Sequence, residues 1–300
     1  MLFVKLKLWI KQFLERDSLT WNALEYIYER LNNASRLKGA LGTLPDFLII
    51  GVQRGGTTSL YHYLLQHPHI HGATTKQIEY FSKNYDKSIA WYRSYFPLRI
   101  TRKLCNKLGM PFRTGEASTE YLHLRTVAER ARELLPDTQI IVLLRDPVNR
   151  AYSHYNHAVK NNKEDLSFAQ AIEKEQERID GEQEKVEENP GYTNLHYRSH
   201  TYLTRGKYAE FLKPWFDHFD RDQIKVIKSE NLFQEPGETT NDVFRFLGVK
   251  SYELDKYHQV NKRDYEDLDE ELKEKIQKYY EPHIEELKEL IGQDMEWFES

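Results

Sequence analysis

Phe47-Leu48-Ile49-Ile50-Gly51-Val52-Gln53-Arg54-Gly55-Gly56-Thr57-Thr58-Ser59-Leu60 is the stretch whose reading decides the fold. Residues 47–50 are short, apolar and β-prone, which predicts a buried parallel strand. Residues 57–66 read as the helix that follows, ending before Pro68. Between them Gly51 and Gly56 stand at the spacing of the two glycines of a phosphate-binding loop. Glycines let backbone N–H groups turn inward around an anion, and the helix dipole adds positive potential there. Gly55 lies in the same turn, and the hydroxyls of Thr57, Thr58 and Ser59 offer further donors. The nucleotide triphosphatase motif places Lys directly after the second glycine. Here that position is Thr57, and the cation, Arg54, sits inside the loop. The alternative is a glycine-rich turn that holds no ligand.

A second stretch has the same design. Ile140-Ile141-Val142-Leu143-Leu144 is strand-like, and Arg145-Asp146-Pro147-Val148-Asn149-Arg150-Ala151-Tyr152-Ser153 follows it. Arg145 falls at the carboxyl end of the strand, where open α/β sheets bind ligands. Pro147 suits a first helical turn, which puts Arg150 and Ser153 on the early turns of a helix. Arg145 offers a planar fork for a phosphate and Ser153 a hydroxyl. An Arg–Asp pair within the protein is the competing explanation. Two such turns in one chain suggest one ligand with phosphates at both ends.

Gly51-Val52-Gln53-Arg54-Gly55-Gly56-Thr57-Thr58-Ser59-Leu60 resembles the 5′-phosphosulfate loop of sulfotransferases, and Arg145 through Tyr155 resembles their 3′-phosphate motif. The resemblance runs from about Pro45 to Trp297 and is closest to the branch of heparan sulfate sulfotransferases and their bacterial relatives. It implies 3′-phosphoadenosine 5′-phosphosulfate (PAPS) as donor and transfer to a small-molecule or carbohydrate acceptor.

The implied fold is a single α/β domain, a P-loop-like parallel sheet flanked by helices. Residues 1–44 read as a helical segment ahead of a sulfotransferase domain at 45–300. At 300 residues and a net charge of −4, no global basic field draws nucleic acid. One cysteine, Cys105, excludes an internal disulfide and suits a reducing compartment. A cytoplasmic, bacterial enzyme is expected. In residues 1–15, Leu2, Phe3, Leu6, Trp9, Ile10, Phe13 and Leu14 share one helical face beside Lys5, Lys7 and Lys11. Docking onto the body of the protein or a second subunit is one reading, and interfacial membrane contact is the other.

Sulfuryl transfer needs positioning, charge stabilisation and a base, and calls for no metal cluster. Arg54 stands where the family usually has Lys; a fixed guanidinium supplies charge stabilisation but is a poor proton donor to the leaving oxygen. In Lys76-Gln77-Ile78-Glu79-Tyr80-Phe81 the family's Glu falls at Gln77, which cannot act as a base. Glu79, two residues on, shares its side if the segment is extended. We take Glu79 as the expected base, against a surface carboxylate paired with Lys76 or Lys83. His157 lies four residues after Ser153 on one helix face and matches a functional His of N-sulfotransferase relatives, whereas His154 faces elsewhere. Lys262 and Arg263 match a basic loop over the donor, without the glycine that separates the pair in relatives. Tyr202 is expected to stack on adenine or to sit in the core. Heparan-type enzymes carry Lys where this chain has Ala117, which points away from a highly anionic polysaccharide. A P-loop kinase and a nucleotide-binding protein without catalysis are the competing functions.

Beyond the motifs, Ser167 and Gln170 form an expected capping box. Glu173 to Glu188 reads as a solvated helix face, residues 206–219 as an amphipathic helix, and residues 265–298 as two charged helices.

Overall fold

A computed structural model describes residues 39–189, 192, 195–257 and 267–298. Five strands form one sheet: β1 (Phe47–Gly51), β2 (Ile70–Gly72), β3 (Arg113–Ala117), β4 (Gln139–Leu144) and β5 (Ile224–Lys228). Their order is β2-β3-β1-β4-β5 and every pairing is parallel. The helices that build the site are α1 (Thr57–Leu64), α2 (Pro147–Lys160), α3 (Tyr208–His218), α4 (Ser229–Gln234) and α5 (Glu270–Ile291).

β1 is buried throughout, and β4 everywhere but its first residue. A parallel strand covered by helices on both faces needs apolar side chains on both, which explains their unbroken hydrophobic runs. Alternation then sorts the side chains. Leu48, Ile50, Val142 and Leu144 join one core cluster with Tyr121, Phe211 and Trp215. Phe47, Ile49, Ile141 and Leu143 join another, with Leu60, Leu64 and Phe244. Asp46 sets the entry to the sheet, accepting from the Thr114 N–H and from Arg102, both at 2.8 Å.

β1 lies at the centre of the sheet, β3 and then β2 lie to one side of it, and the chain crosses to β4 on the other. The switch point is therefore the β1–β4 boundary, and the turns after β1 and β4 both open there.

Two helical expectations need correction. The acidic stretch is three short helices, Phe168–Glu173, Glu175–Ile179 and Glu182–Glu188, with Gly181 left-handed at φ 66° before the third. Glu175 is buried there, accepting from the N–H groups of Leu203 at 2.6 Å and Thr204 at 2.7 Å. The C-terminal region is one 22-residue helix, α5, despite Pro282 inside it. Its buried stripe of Ile276, Tyr280, Leu287 and Ile291 runs through the proline, so packing outweighs the lost hydrogen bond. The capping box at Ser167 and Gln170 is present, and the amphipathic helix forms as α3. No described helix is long and apolar enough to cross a membrane.

Candidate active site

The turn after β1 is built around glycines for steric reasons. Gly56 has φ +90°, and a Cβ there would stand 2.8 Å from the Phe233 ring. A Cβ on Gly55 would stand 2.7 Å from Val52 Cγ2 and 3.1 Å from the Leu143 carbonyl oxygen. Gly56 is also the N-cap of α1 and supplies no capping side chain. First-turn N–H groups left uncapped suit an anion. Thr57 and Ser59 are buried and Thr58 is half-buried at this helix start. The Val52 N–H donates to the Leu143 carbonyl at 2.8 Å, and the buried Ser229 hydroxyl, opening α4, to the Gly55 carbonyl at 2.8 Å. The loop is thus pinned to β4 and to the segment after β5.

The second turn meets the first directly. Arg145 Nη1 donates to the Arg54 carbonyl at 3.1 Å. Arg54 Nε donates to Ser153 Oγ on α2 at 3.0 Å. Arg145 and Asp146 take separate partners. Asp146 caps α2, accepting from the Asn149 N–H at 2.7 Å, and burial pushes its carboxyl up to about 6. The Tyr208 hydroxyl donates to the Arg145 carbonyl at 2.7 Å, and the Arg145 guanidinium lies over the Phe233 ring.

Lys76, in the loop after β2, reaches the same helix start. Its ammonium donates to Thr58 Oγ1, and burial of the half-buried side chain lowers its pKa to about 8. The sequence pattern offers this lysine only as a competing partner for Glu79. The available signal was its place one residue before the position of the family's Glu.

Beside the glycine loop lies a cavity of about 420 Å³, with Gln53, Gln77, Glu79, Glu120, His157 and Arg198 among its walls. The segment bearing Glu79 is not extended. Gln77 and Glu79 both have positive φ, 58° and 53°, yet both face this cavity. Glu79 is held by its backbone, whose N–H donates to Ser118 Oγ at 3.2 Å. Behind it Glu116 is fully buried and accepts from Tyr92 at 2.6 Å, Ser118 at 2.7 Å and Tyr121 at 3.0 Å. Tyr121 in turn accepts from the Tyr80 N–H at 2.8 Å.

Glu79 pairs with Arg198 at 2.7 Å, not with Lys76 or Lys83. Burial raises its pKa above the usual value and outweighs Arg198. Glu120 goes the other way. Burial alone would raise it, but the buried Arg205 binds both its oxygens, at 2.9 and 2.8 Å, and brings it below the usual range. Arg205 Nη1 also donates to Gln53 Oε1 at 3.1 Å, which ties this wall to the glycine loop. His157 lines the cavity with its ring nitrogens 3.2 and 3.3 Å from the Asn161 amide nitrogen. His154, expected to face elsewhere, lines it too. Burial and then Arg150 push His154 well below its ordinary pKa, so it is neutral.

Tyr202 is corrected as an adenine platform. It is fully buried, donates to Glu164 at 2.9 Å and contacts His154, Tyr155 and Phe168. Lys262, Arg263 and residues 1–15 lie outside the described residues.

The family described as "Sulfotransferase domain" matches residues 44–262. Human heparan sulfate glucosamine 3-O-sulfotransferase 3B1 is 26% identical over 278 residues, covering 85% of this chain and 65% of its own length. Mouse bifunctional heparan sulfate N-deacetylase/N-sulfotransferase 4 is 32% identical over 219 residues, covering 69% of this chain and 22% of its own. The chain therefore spans less than two-thirds of these curated relatives. A crystal structure of a sulfotransferase from Alicyclobacillus acidocaldarius superposes with a TM-score of 0.64 at 30% identity, covering 86% of this chain and all of that one.

Proposed function

Because this chain belongs to the sulfotransferase domain family, we propose that it moves the sulfuryl group of PAPS to a hydroxyl or amine of a carbohydrate or small-molecule acceptor. Adenosine 3′,5′-bisphosphate is the other product. The observation that carries this reading is the joining of two anion-binding turns at the sheet's switch point, through Arg145, Arg54 and Ser153. A donor with phosphates at both ends of one nucleoside needs such a pair of turns. The residues fit it: the cap position of α1 carries no side chain, and a methyl group at Gly55 or Gly56 would collide with the loop's surroundings.

In this reading Arg54, Gly55, Gly56, Thr57, Thr58 and Ser59 hold the phosphosulfate, and Arg145 and Ser153 the 3′-phosphate. Lys262 and Arg263 add phosphate contacts. Glu79 or His157 takes the acceptor proton as the acceptor oxygen or nitrogen bonds to sulfur. The raised pKa of Glu79 suits a base working nearer neutrality than an ordinary carboxylate. Among the described residues, the cavity walls mix carboxylates with Lys83, Lys163 and Arg198 and carry no Phe, Tyr or Trp. That lining suits a polyhydroxylated or charged acceptor more than a flat apolar one.

Sulfur-35-labelled PAPS offered with amino sugars, neutral sugars and small amines tests the proposal. Label should move to at least one acceptor class. Glu79→Gln or His157→Ala should cut turnover by about 10²-fold or more while leaving bisphosphate affinity within about threefold. Donor binding with no transfer to any acceptor, or both variants at full turnover, would contradict it. Membrane contact and second-subunit docking through residues 1–15 belong to the same proposal. Liposome flotation with and without those residues separates the two.

A further inference from the structure

The cation inside the glycine loop and the cation at the helix start are different residues from different segments. Arg54 holds a left-handed backbone, φ 73°, and its Nε donates across to Ser153 on α2. It bridges the two turns. At the start of α1, by contrast, the group on the Thr58 hydroxyl is the ammonium of Lys76. Lys76 arrives there because residues beyond β2 run on alongside β3. The Ala73 N–H donates to the Gly115 carbonyl at 3.3 Å and the Gln77 N–H to the Ala117 carbonyl at 3.0 Å. Lys76 and Gln77 are neighbours in sequence but serve different places: Lys76 the anion-binding helix start, Gln77 the acceptor cavity. The loop after β2 therefore touches both ends of the reaction that the cavity and the cradle imply.

Resting on the sulfotransferase reading, we propose that Lys76 is the catalytic cation and proton donor for the oxygen that leaves sulfur. In the step, the bond from the acceptor to sulfur forms and the bond from sulfur to the 5′-phosphate oxygen breaks. The electron pair stays on that oxygen, where Lys76 Nζ delivers a proton. The acceptor's own proton goes to Glu79 or His157, and solvent recharges Lys76. Arg54 neutralises charge but, as a fixed guanidinium, is a poor proton donor. Lysine can do both when burial brings its pKa toward neutrality, and burial brings Lys76 to about 8. That shift comes from desolvation, without contributions from Glu79 or Lys83 on its own loop or from Arg54 and Arg145 on the two turns.

Adenosine 3′,5′-bisphosphate titrated by calorimetry in two buffers of different ionisation heat, at pH about 8.5, reads the proton directly. Part of the Lys76 population is neutral there, so binding should draw in a large fraction of one proton. Lys76→Arg should bind with no such uptake, and Lys76→Met should bind more weakly. Turnover of labelled PAPS with water as acceptor should fall about 10²-fold in Lys76→Met, with little rescue by Lys76→Arg. Equal proton uptake and turnover in all three proteins would overturn this role while leaving the sulfotransferase reading intact. Failure of the unaltered protein to bind the bisphosphate would overturn both.

Discussion

The proposed donor cradle and the proposed acceptor wall sit side by side and are built on different principles. The cradle is backbone: two glycines with no room for a side chain, an uncapped helix start, and turns tied at 2.8 to 3.1 Å. The wall is side chains in charge pairs, Glu79 with Arg198 and Glu120 with Arg205, whose partners lie 119 and 85 residues apart in sequence. In the proposed reaction the cradle takes a phosphate-like anion, which backbone N–H groups and a helix start suit. The wall depends on which side chains meet there, since its pairs join segments distant in sequence. Under the proposed function, donor and acceptor specificity are set by separate parts of the molecule.

The largest expected effect breaks the wall. Glu120→Gln leaves Arg205 buried without its carboxylate, which should cost about 3–5 kcal/mol in urea denaturation. A loss under about 0.5 kcal/mol would mean that the pair is not what holds the wall. Gly56→Ala tests the cradle instead. With φ +90° and Phe233 at 2.8 Å from the new methyl, stability should fall by about 1–2 kcal/mol and bisphosphate affinity by roughly tenfold. Unchanged affinity would show that the turn is not tightly specified. The same change should leave the Glu79–Arg198 side of the site undisturbed.

The smallest effect sharpens the boundary between the two regions. Asp146 rises from its ordinary 3.8 to about 6 in the fold because burial disfavours its charge. The folded state then holds the proton more tightly than the unfolded chain. Stability from this group is present below about pH 4 and is lost as pH rises through about 6. Asp146→Asn keeps a capping oxygen for Asn149 and removes the titration. Melting temperatures of the two proteins should agree near pH about 4 and diverge above pH about 6, with the variant the more stable. The opposite divergence would mean that the charge is favourable where it sits.

The same division explains what could be read from sequence. β1, β4, the glycine turn and Arg145 are local patterns, and each stands where the spacing predicts. The wall depends on contacts between distant segments, so no local pattern pairs Arg198 with Glu79 or Arg205 with Glu120. Glu79 faces the cavity for a reason that periodicity could not supply. The expected extended backbone is absent, and two left-handed residues turn Gln77 and Glu79 to the same space. Tyr202 shows the converse, an aromatic whose pattern fits stacking or packing equally and whose hydroxyl is satisfied by buried Glu164. Lys76 entered the sequence reading only in the competing pairing with Glu79, whereas loop continuation past β2 carries it to Thr58.

Calorimetric titration with adenosine 3′,5′-bisphosphate, beside ATP and AMP, tests the two-phosphate site most directly. The account predicts tight binding of the bisphosphate alone, weakened by about 10- to 100-fold in Arg145→Ala as one charge-assisted phosphate contact is lost. Equal affinity for ATP, or an Arg145→Ala variant that binds as well as the unaltered protein, would contradict it.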